Sequence, residues 1–122
     1  YNGRTTMGEY AMVCVCNGRY YGGGFNPSLT ARPDDGELDF FITRRVSLPV
    51  LAVLIGKYAK GRADELSQYI THLKGTEIEI GFDEDNVVNI DGEALYAKRV
   101  RIRLVPGAAN LIVPKGMKFF NA

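Results

Sequence analysis

The sequence predicts a mainly β (α+β) domain, an antiparallel β-sandwich with a helical insertion around residues 47–73. Three observations predict it. Apolar runs of strand length are punctuated by glycine, apolar and polar residues alternate through much of the second half, and helical spacing is confined to one stretch. About six strands around a single helical excursion favour antiparallel sheets over alternating strands and helices.

Two strands are predicted in the first half. Residues 11–16 are apolar on both faces, which is typical of a central buried strand, and Asn17-Gly18 closes it. Residues 38–43 alternate apolar and polar side chains, which predicts a second strand.

The helical insertion is predicted as two helices. Ser47 can cap the first helix, which Gly61 ends. Its apolar stripe at helical spacing is Leu51, Leu54, Ile55 and Tyr58. A second helix is predicted over residues 63–73, with Gly75 as its stop. This places His72 at a helix end, near the negative end of the helix dipole.

The second half reads as strands and turns. Residues 77–82 alternate, residues 83–86 predict a charged turn, and residues 87–90 predict a returning strand. Asp91-Gly92-Glu93 predicts a tight corner, because Gly92 can adopt a positive φ.

The last strands carry a basic stripe. Residues 98–104 place apolar side chains on one face and arginines on the other. The arginines are Arg99, Arg101 and Arg103. They suit either phosphate binding or the polar outer face of a half-buried strand. Residues 106–107 predict a turn, and residues 111–113 predict a last short strand.

Composition limits the class of protein. The 122 residues suit one domain, residues 1–122, and a net charge of +1 argues against a nucleic-acid surface. The longest apolar run, residues 49–56, is too short to span a membrane, and no signal peptide is recognisable. Because the chain begins with Tyr1, we expect a piece of something longer.

The two cysteines predict free thiols. Cys14 and Cys16 point to one face of a strand, with Cα atoms about 6.5–7 Å apart, at or past the limit for a disulfide. Free thiols suit a cytoplasmic protein.

Two acidic turns are candidate sites. Residues 33–37, with Asp34, Asp35 and Glu37, offer the hard oxygen ligands that suit Mg²⁺ or Ca²⁺, although a solvated turn explains them too. Asp91 and Glu93 could hold a metal or handle a proton, or simply form a hairpin corner. The triple glycine at residues 22–24 lacks the spacing of a phosphate-binding loop.

Five short sequence runs are weak signals individually, but their order along the chain is specific. They are NGRYYGGGFNP at residues 17–27, DDGELD at 34–39, NIDGE at 89–93, VPGA at 105–108 and VP at 113–114. Together they resemble the C-terminal domain of the diacylglycerol kinase family, which is related to sphingosine and ceramide kinases. The resemblance covers residues 13–114.

The resemblance implies a parent with two domains. In this family an N-terminal domain binds ATP through a Gly-Gly-Asp-Gly-Thr signature, and a C-terminal β-sandwich helps to form the lipid site. The sequence contains no such signature. We therefore expect the ATP-binding domain, and the first strands of the sandwich, to be missing from this chain.

The resemblance also assigns site residues. It implies that Mg²⁺ is held by the Asp35 carboxylate and the backbone carbonyls of Arg32 and Glu37. It assigns a catalytic acid/base role to Glu93 in the interdomain cleft, with Asp91 beside it. The sequence departs from the family pattern at Glu37, where members often carry an apolar residue.

The resulting expectation is a cytoplasmic, peripherally membrane-associated lipid kinase that uses Mg²⁺ and ATP to phosphorylate diacylglycerol or a similar lipid. The fragment alone is expected to be inactive. Its expected partners are the lipid, the missing kinase domain and a second copy of itself, through an unpaired sheet edge. The alternatives are a sphingoid-base or other lipid kinase of the same fold, and a non-catalytic β-sandwich binding module.

Overall fold

The computed structural model describes residues 1–117, apart from the side chain of Asp64. Its elements, in chain order, are β1 (Tyr10–Cys16), β2 (Leu38–Arg44), α1 (Leu48–Ala59), a 3₁₀ turn (Ala63–Leu66), β3 (Ile70–Gly75), β4 (Glu77–Ile90) and β5 (Glu93–Arg103).

The strands form two antiparallel sheets. β2 lies between β1 and β3 in a three-stranded sheet, and β4 pairs with β5 in a hairpin. Strands dominate, and the one α-helix lies between β2 and β3. The predicted mainly β class with a helical insertion is therefore confirmed.

The three-stranded sheet buries both of its faces, because neighbouring side chains of β2 point in opposite directions. Phe41 packs on one face in a cluster with Leu54 and Tyr58 of α1. Phe40 packs on the other face in a cluster with Ile78 of β4, which Ile102 of β5 also contacts. The sheet is thus covered by the helix on one side and by the hairpin on the other.

The helix α1 begins and ends close to the predicted bounds. Ser47 occupies the N-cap position, but its side chain makes no capping hydrogen bond, and the Leu51 N–H donates to its carbonyl at 2.9 Å. Pro49 lies in the first turn, where a missing N–H is tolerated. Beyond the C-cap Lys60, Gly61 has φ 72°.

The predicted second helix over residues 63–73 is wrong. Only a single 3₁₀ turn forms there, and β3 begins at Ile70 and pairs with β2 from the Thr43–Ile70 register onward. Pairing with a buried strand outweighs the helical spacing of a short segment, and β-branched Ile70 and Thr71 favour the strand. His72 consequently lies on a strand, not at a helix end.

Two strand predictions in the first half and at the end of the chain also need correction. β1 is an edge strand of the sheet, and β2 takes the central place because both of its edges are paired. Within residues 1–117 no strand forms at residues 111–113, where Leu111 and Ile112 are exposed. Self-association through the β1 edge stays a prediction.

The predicted turn at residues 83–86 is instead part of β4. Gly81 pairs with Arg99 and Asn86 with Ala97, so residues 82–85 lie opposite Lys98 alone. The extra residues of β4 form a bulge-like interruption of the pairing with β5, and the strand continues past it. Residues 87–90 therefore continue β4 instead of returning along it.

Gly61 is where the fold most clearly requires glycine. Its φ is 72°, and a Cβ at this position would lie 2.7 Å from Leu29 Cδ2 and 3.1 Å from the Asn26 carbonyl oxygen. Gly107 has a similar φ of 68°, but a Cβ there would meet nothing within 4 Å. We expect Gly107→Ala to cost about 1 kcal/mol from backbone strain alone. Gly61→Ala should cost clearly more, because steric overlap adds to the same strain.

Urea unfolding of both variants and of the unmodified chain measures this difference. Equal free energies of unfolding for Gly61→Ala and Gly107→Ala would contradict the packing described around Gly61.

Candidate functional site

The turn between β4 and β5 fixes the backbone of the first candidate site. Ile90 and Glu93 are paired residues, and the two residues between them have positive φ, 49° at Asp91 and 98° at Gly92. Such a two-residue turn matches the twist of an antiparallel hairpin. The Gly92 N–H also donates to Asn89 Oδ1 at 2.9 Å. The predicted tight corner is confirmed.

Both carboxylates at this corner are available to a ligand. Asp91 and Glu93 are exposed, and within residues 1–117 neither side chain forms a hydrogen bond or an ion pair. The surrounding half of the hairpin mixes exposed acidic, amide and apolar side chains. The exposed apolar side chains along this half of the hairpin are Val87, Ile90, Leu95 and Tyr96.

The base of the same hairpin is held by ion pairs. Arg99 pairs with Glu79 at 3.2 Å, and Arg101 pairs with Glu77 at 2.7 Å. These cross-strand pairs support the outer-face interpretation of the basic stripe over phosphate binding.

The turn after residue 31 brings together the three residues proposed to hold a metal. The Asp35 N–H donates to the Arg32 carbonyl at 3.5 Å, and the Glu37 N–H donates to Asp35 Oδ1 at 3.0 Å. Gly36 between them has φ 76°. The turn therefore places the Arg32 carbonyl beside the Asp35 N–H and the Asp35 carboxylate beside the Glu37 N–H.

The neighbouring carboxylate, Asp34, is engaged by arginine. The Arg32 guanidinium donates from Nε and Nη2 to the two oxygens of Asp34, each at 3.0 Å. This hydrogen bonding holds the pKa of the Asp34 carboxyl below its usual value.

A lysine from β3 lies among the acidic residues. Lys74 Nζ lies 3.1 Å from Asp35 Oδ2, 3.6 Å from Glu37 Oε2 and 3.9 Å from Asp39 Oδ2. Burial lowers the pKa of Lys74, but the hydrogen bond to Asp35 and the surrounding carboxylates raise it above its ordinary value. Lys74 therefore carries a positive charge where the metal was expected to neutralise Asp35.

Asp39 connects this cluster to the core. It is only 1% exposed, and its Oδ1 lies 2.6 Å from His72 Nε2. The His72 ring stacks on Phe41, with ring centroids 4.3 Å apart. The second carboxylate oxygen of Asp39, Oδ2, is buried and has no hydrogen-bond partner, and it faces the Lys74 ammonium group.

Sequence reasoning missed Asp39, His72 and Lys74. The alternation of Ile70, His72 and Lys74 was the available signal, because three residues two apart share one face of a strand. Assigning this stretch to a helix concealed it.

The donor chemistry of the turn fits a hard divalent cation. Carboxylate and carbonyl oxygens are the ligands that Mg²⁺ and Ca²⁺ prefer, and Asp35, Arg32 and Glu37 supply both kinds. A cation held by these groups would have to compete with Lys74 for Asp35. Within the described residues, no hydrogen bond or ion pair joins Asp35 or Glu37 to the Asp91–Glu93 corner.

Comparisons with known proteins agree with this architecture. A family model described as the YegS C-terminal NAD kinase beta sandwich-like domain matches residues 1–113. Two proteins named "Putative lipid kinase", from Staphylococcus aureus strains Newman and Mu3, are 32% identical over 109 residues. These matches cover 89% of this chain and 36% of each relative.

A solved structure is also similar. It is a crystal structure titled as a putative diacylglycerol kinase from Bacillus anthracis strain Sterne, with a TM-score of 0.64 and 32% identity over 80% of this chain and 33% of that one. The chain thus spans about a third of the length of these relatives. Within the described residues, no helix has the length and apolar character to cross a membrane.

The family model covers nearly the whole chain, and the relatives confirm the resemblance carried by the five sequence runs. The chain belongs to the family of C-terminal, NAD-kinase-like β-sandwich domains of lipid kinases.

Proposed function

We propose that this chain is the lipid-site domain of an ATP-dependent kinase that phosphorylates the hydroxyl group of diacylglycerol or a similar lipid. The observation that carries the proposal is the exposed Glu93 carboxylate on a fixed hairpin corner, which has no hydrogen-bond or ion-pair partner among residues 1–117. The relatives' names, which describe lipid and diacylglycerol kinases, supply the reaction class.

The chemistry requires a group that accepts a proton. When a lipid hydroxyl attacks the terminal phosphate of ATP, a positioned carboxylate can take its proton, as in other phosphoryl transfers. Glu93 meets the requirement because no side chain in the described part of the chain competes for it. Asp91 lies two residues away on the same corner and would add negative charge toward the cation of Mg-ATP.

The rest of the parent protein would supply the nucleotide site. This chain spans about a third of its relatives. The exposed Val87, Ile90, Leu95 and Tyr96 would then face either the second domain or the acyl chains of the lipid. The enzyme would act at the membrane surface, where its substrate lies.

The Asp35 turn would have a structural role. A bound Mg²⁺ would be held by the Asp35 carboxylate and the carbonyls of Arg32 and Glu37, and its charge would fix the turn that leads into β2. The hydrogen bond from the Glu37 N–H to Asp35 already orients that carboxylate.

The role of Glu93 is tested in the complete parent protein. Glu93→Gln should lower the rate of phosphate transfer from ATP to diacylglycerol by about 10²–10⁴-fold, because the amide accepts no proton. Glu84→Gln removes an exposed carboxylate from the same hairpin and should leave the rate unchanged.

A panel of lipid alcohols, including a sphingoid base, identifies the acceptor in the same assay. The isolated chain should form no phosphatidic acid from Mg-ATP and diacylglycerol. Full activity of Glu93→Gln would contradict the proposed role of Glu93. Activity of the isolated chain would contradict the proposal that the rest of the parent protein supplies the nucleotide site.

The metal turn is tested by thermal unfolding of this chain. Mg²⁺ should raise the melting temperature, because an ion that binds only the folded state stabilises it by mass action. Asp35→Ala should abolish the increase. Lys74→Met should enlarge it, since the competing ammonium group is removed. Asp34→Ala is the matched control, because Asp34 is bound by Arg32 and should not be needed for the response.

An equal Mg²⁺ response in the unmodified chain and in Asp35→Ala would exclude the site. A response that Lys74→Met leaves unchanged would exclude competition by the lysine.

A further inference from the structure

The two cysteines of β1 form a pair of adjacent thiols. Cys14 Sγ and Cys16 Sγ are 3.5 Å apart on the same face of the strand, and both cysteines are free. Cys16 is buried, and Cys14 is partly buried and packs against the same hydrophobic cluster. Neither residue has a part in the proposed phosphoryl transfer.

The geometry of the pair disfavours a disulfide. Residues two apart on a strand have Cα atoms about 6.5–7 Å apart, at or past the upper end of the roughly 4.4–6.8 Å that disulfides usually span. The sulfur atoms would also have to approach from 3.5 Å to about 2.05 Å. The backbone of β1, which is paired with β2, resists both movements.

The same geometry suits one atom placed between the two sulfurs. With a sulfur bond of about 2.3 Å to that atom, a separation of 3.5 Å corresponds to a sulfur–centre–sulfur angle of about 100°. A linear two-coordinate ion would need the sulfurs about 4.6 Å apart. The spacing therefore favours a pyramidal centre with two sulfur ligands at a bent angle.

The surroundings lower the pKa of one thiol of the pair, that of Cys14. The hydrogen bond from the Cys16 thiol, together with those from the Tyr58 and Tyr21 hydroxyls, lowers the pKa of Cys14 to about 6 against the opposing effect of burial. The pKa of Cys16 is raised, because its proton is shared with Cys14 and because it is buried.

The two tyrosines do not act as further ligands. Burial is the largest cause that raises the pKa of Tyr21 to about 12, and it also raises the pKa of Tyr58. Both therefore remain hydroxyls, 3.3 Å apart. Among the described residues there is also no cluster of three or more histidine, cysteine or acidic side chains that could hold a metal ion. A ligand bound here would therefore receive only two coordinating atoms from the described residues, the two sulfurs.

We propose that Cys14 and Cys16 together chelate a thiophilic atom that binds two sulfur ligands in a pyramidal geometry. A trivalent arsenic compound with one organic group is a ligand of this class. In the binding step both arsenic–oxygen bonds of the oxide are replaced by two arsenic–sulfur bonds. The oxygen leaves as water with the two thiol protons, and neither arsenic nor sulfur changes oxidation state.

The test uses phenylarsine oxide and intact mass spectrometry of the reduced chain. One phenylarsenic group should be retained per chain, with the loss of one water, and it should survive washing with excess monothiol. Cys14→Ser and Cys16→Ser should each retain the adduct about a hundredfold less well or worse, because the second bond of a chelate forms within the same molecule.

Two controls separate chelation from other effects. Tyr20→Phe changes an exposed tyrosine outside the pair, keeps both thiols and should keep the adduct. Cys14→Ser changes a half-buried position, and thermal unfolding establishes that this variant is folded before its adduct is compared. Bound arsenical should also raise the melting temperature of the unmodified chain.

Removal of the adduct from the unmodified chain by monothiol would overturn the proposal. So would retention by a folded Cys14→Ser variant equal to that of the unmodified chain. Loss of two hydrogens under mild oxidation, with the arsenical then excluded, would show that the pair is a disulfide site instead.

Discussion

The burial of β2 on both faces is the constraint on which the rest of the structure depends. Phe40 and Phe41 are adjacent, both are fully buried, and they point to opposite sides of the sheet. One side therefore needs a helix to cover it and the other needs a second sheet. The order of elements follows, because α1 leaves the end of β2 and covers Phe41, and β3 then returns to pair with β2 before the chain enters the hairpin.

The same burial explains the charged cluster. Asp39 is almost completely buried on the same face of β2 as Phe41, and a buried carboxylate needs charged or hydrogen-bonding partners. β3 supplies both, with His72 against Oδ1 and Lys74 facing Oδ2. Because Lys74 also binds Asp35, the candidate metal turn and the buried charge form one electrostatic system. Any cation that enters the turn displaces a group that the core also uses.

The sequence allowed the local features to be predicted and not the distant ones. The Asp91–Glu93 corner and the convergence of Arg32, Asp35 and Glu37 arise within a few residues, where turn chemistry decides the geometry. β3 was misassigned because its apolar spacing also fits a helix, and only pairing with β2 decides between the two. Lys74 joins Asp35 across 39 residues of chain, so no local pattern could have revealed that contact.

The hairpin divides into two halves with different surroundings, and this division is the strongest structural support for the proposed function. Near its base, Ile78 and Ile102 pack against the sheet, and cross-strand ion pairs cover the outer face. The irregular pairing after Gly81 separates this base from the distal half, where apolar side chains, the acidic residues 83–85 and both corner carboxylates are exposed. A hairpin that served only the core would not need this distal half. Its anchored base and exposed tip are compatible with the proposed role, in which Glu93 would reach a substrate that the rest of the parent protein would hold.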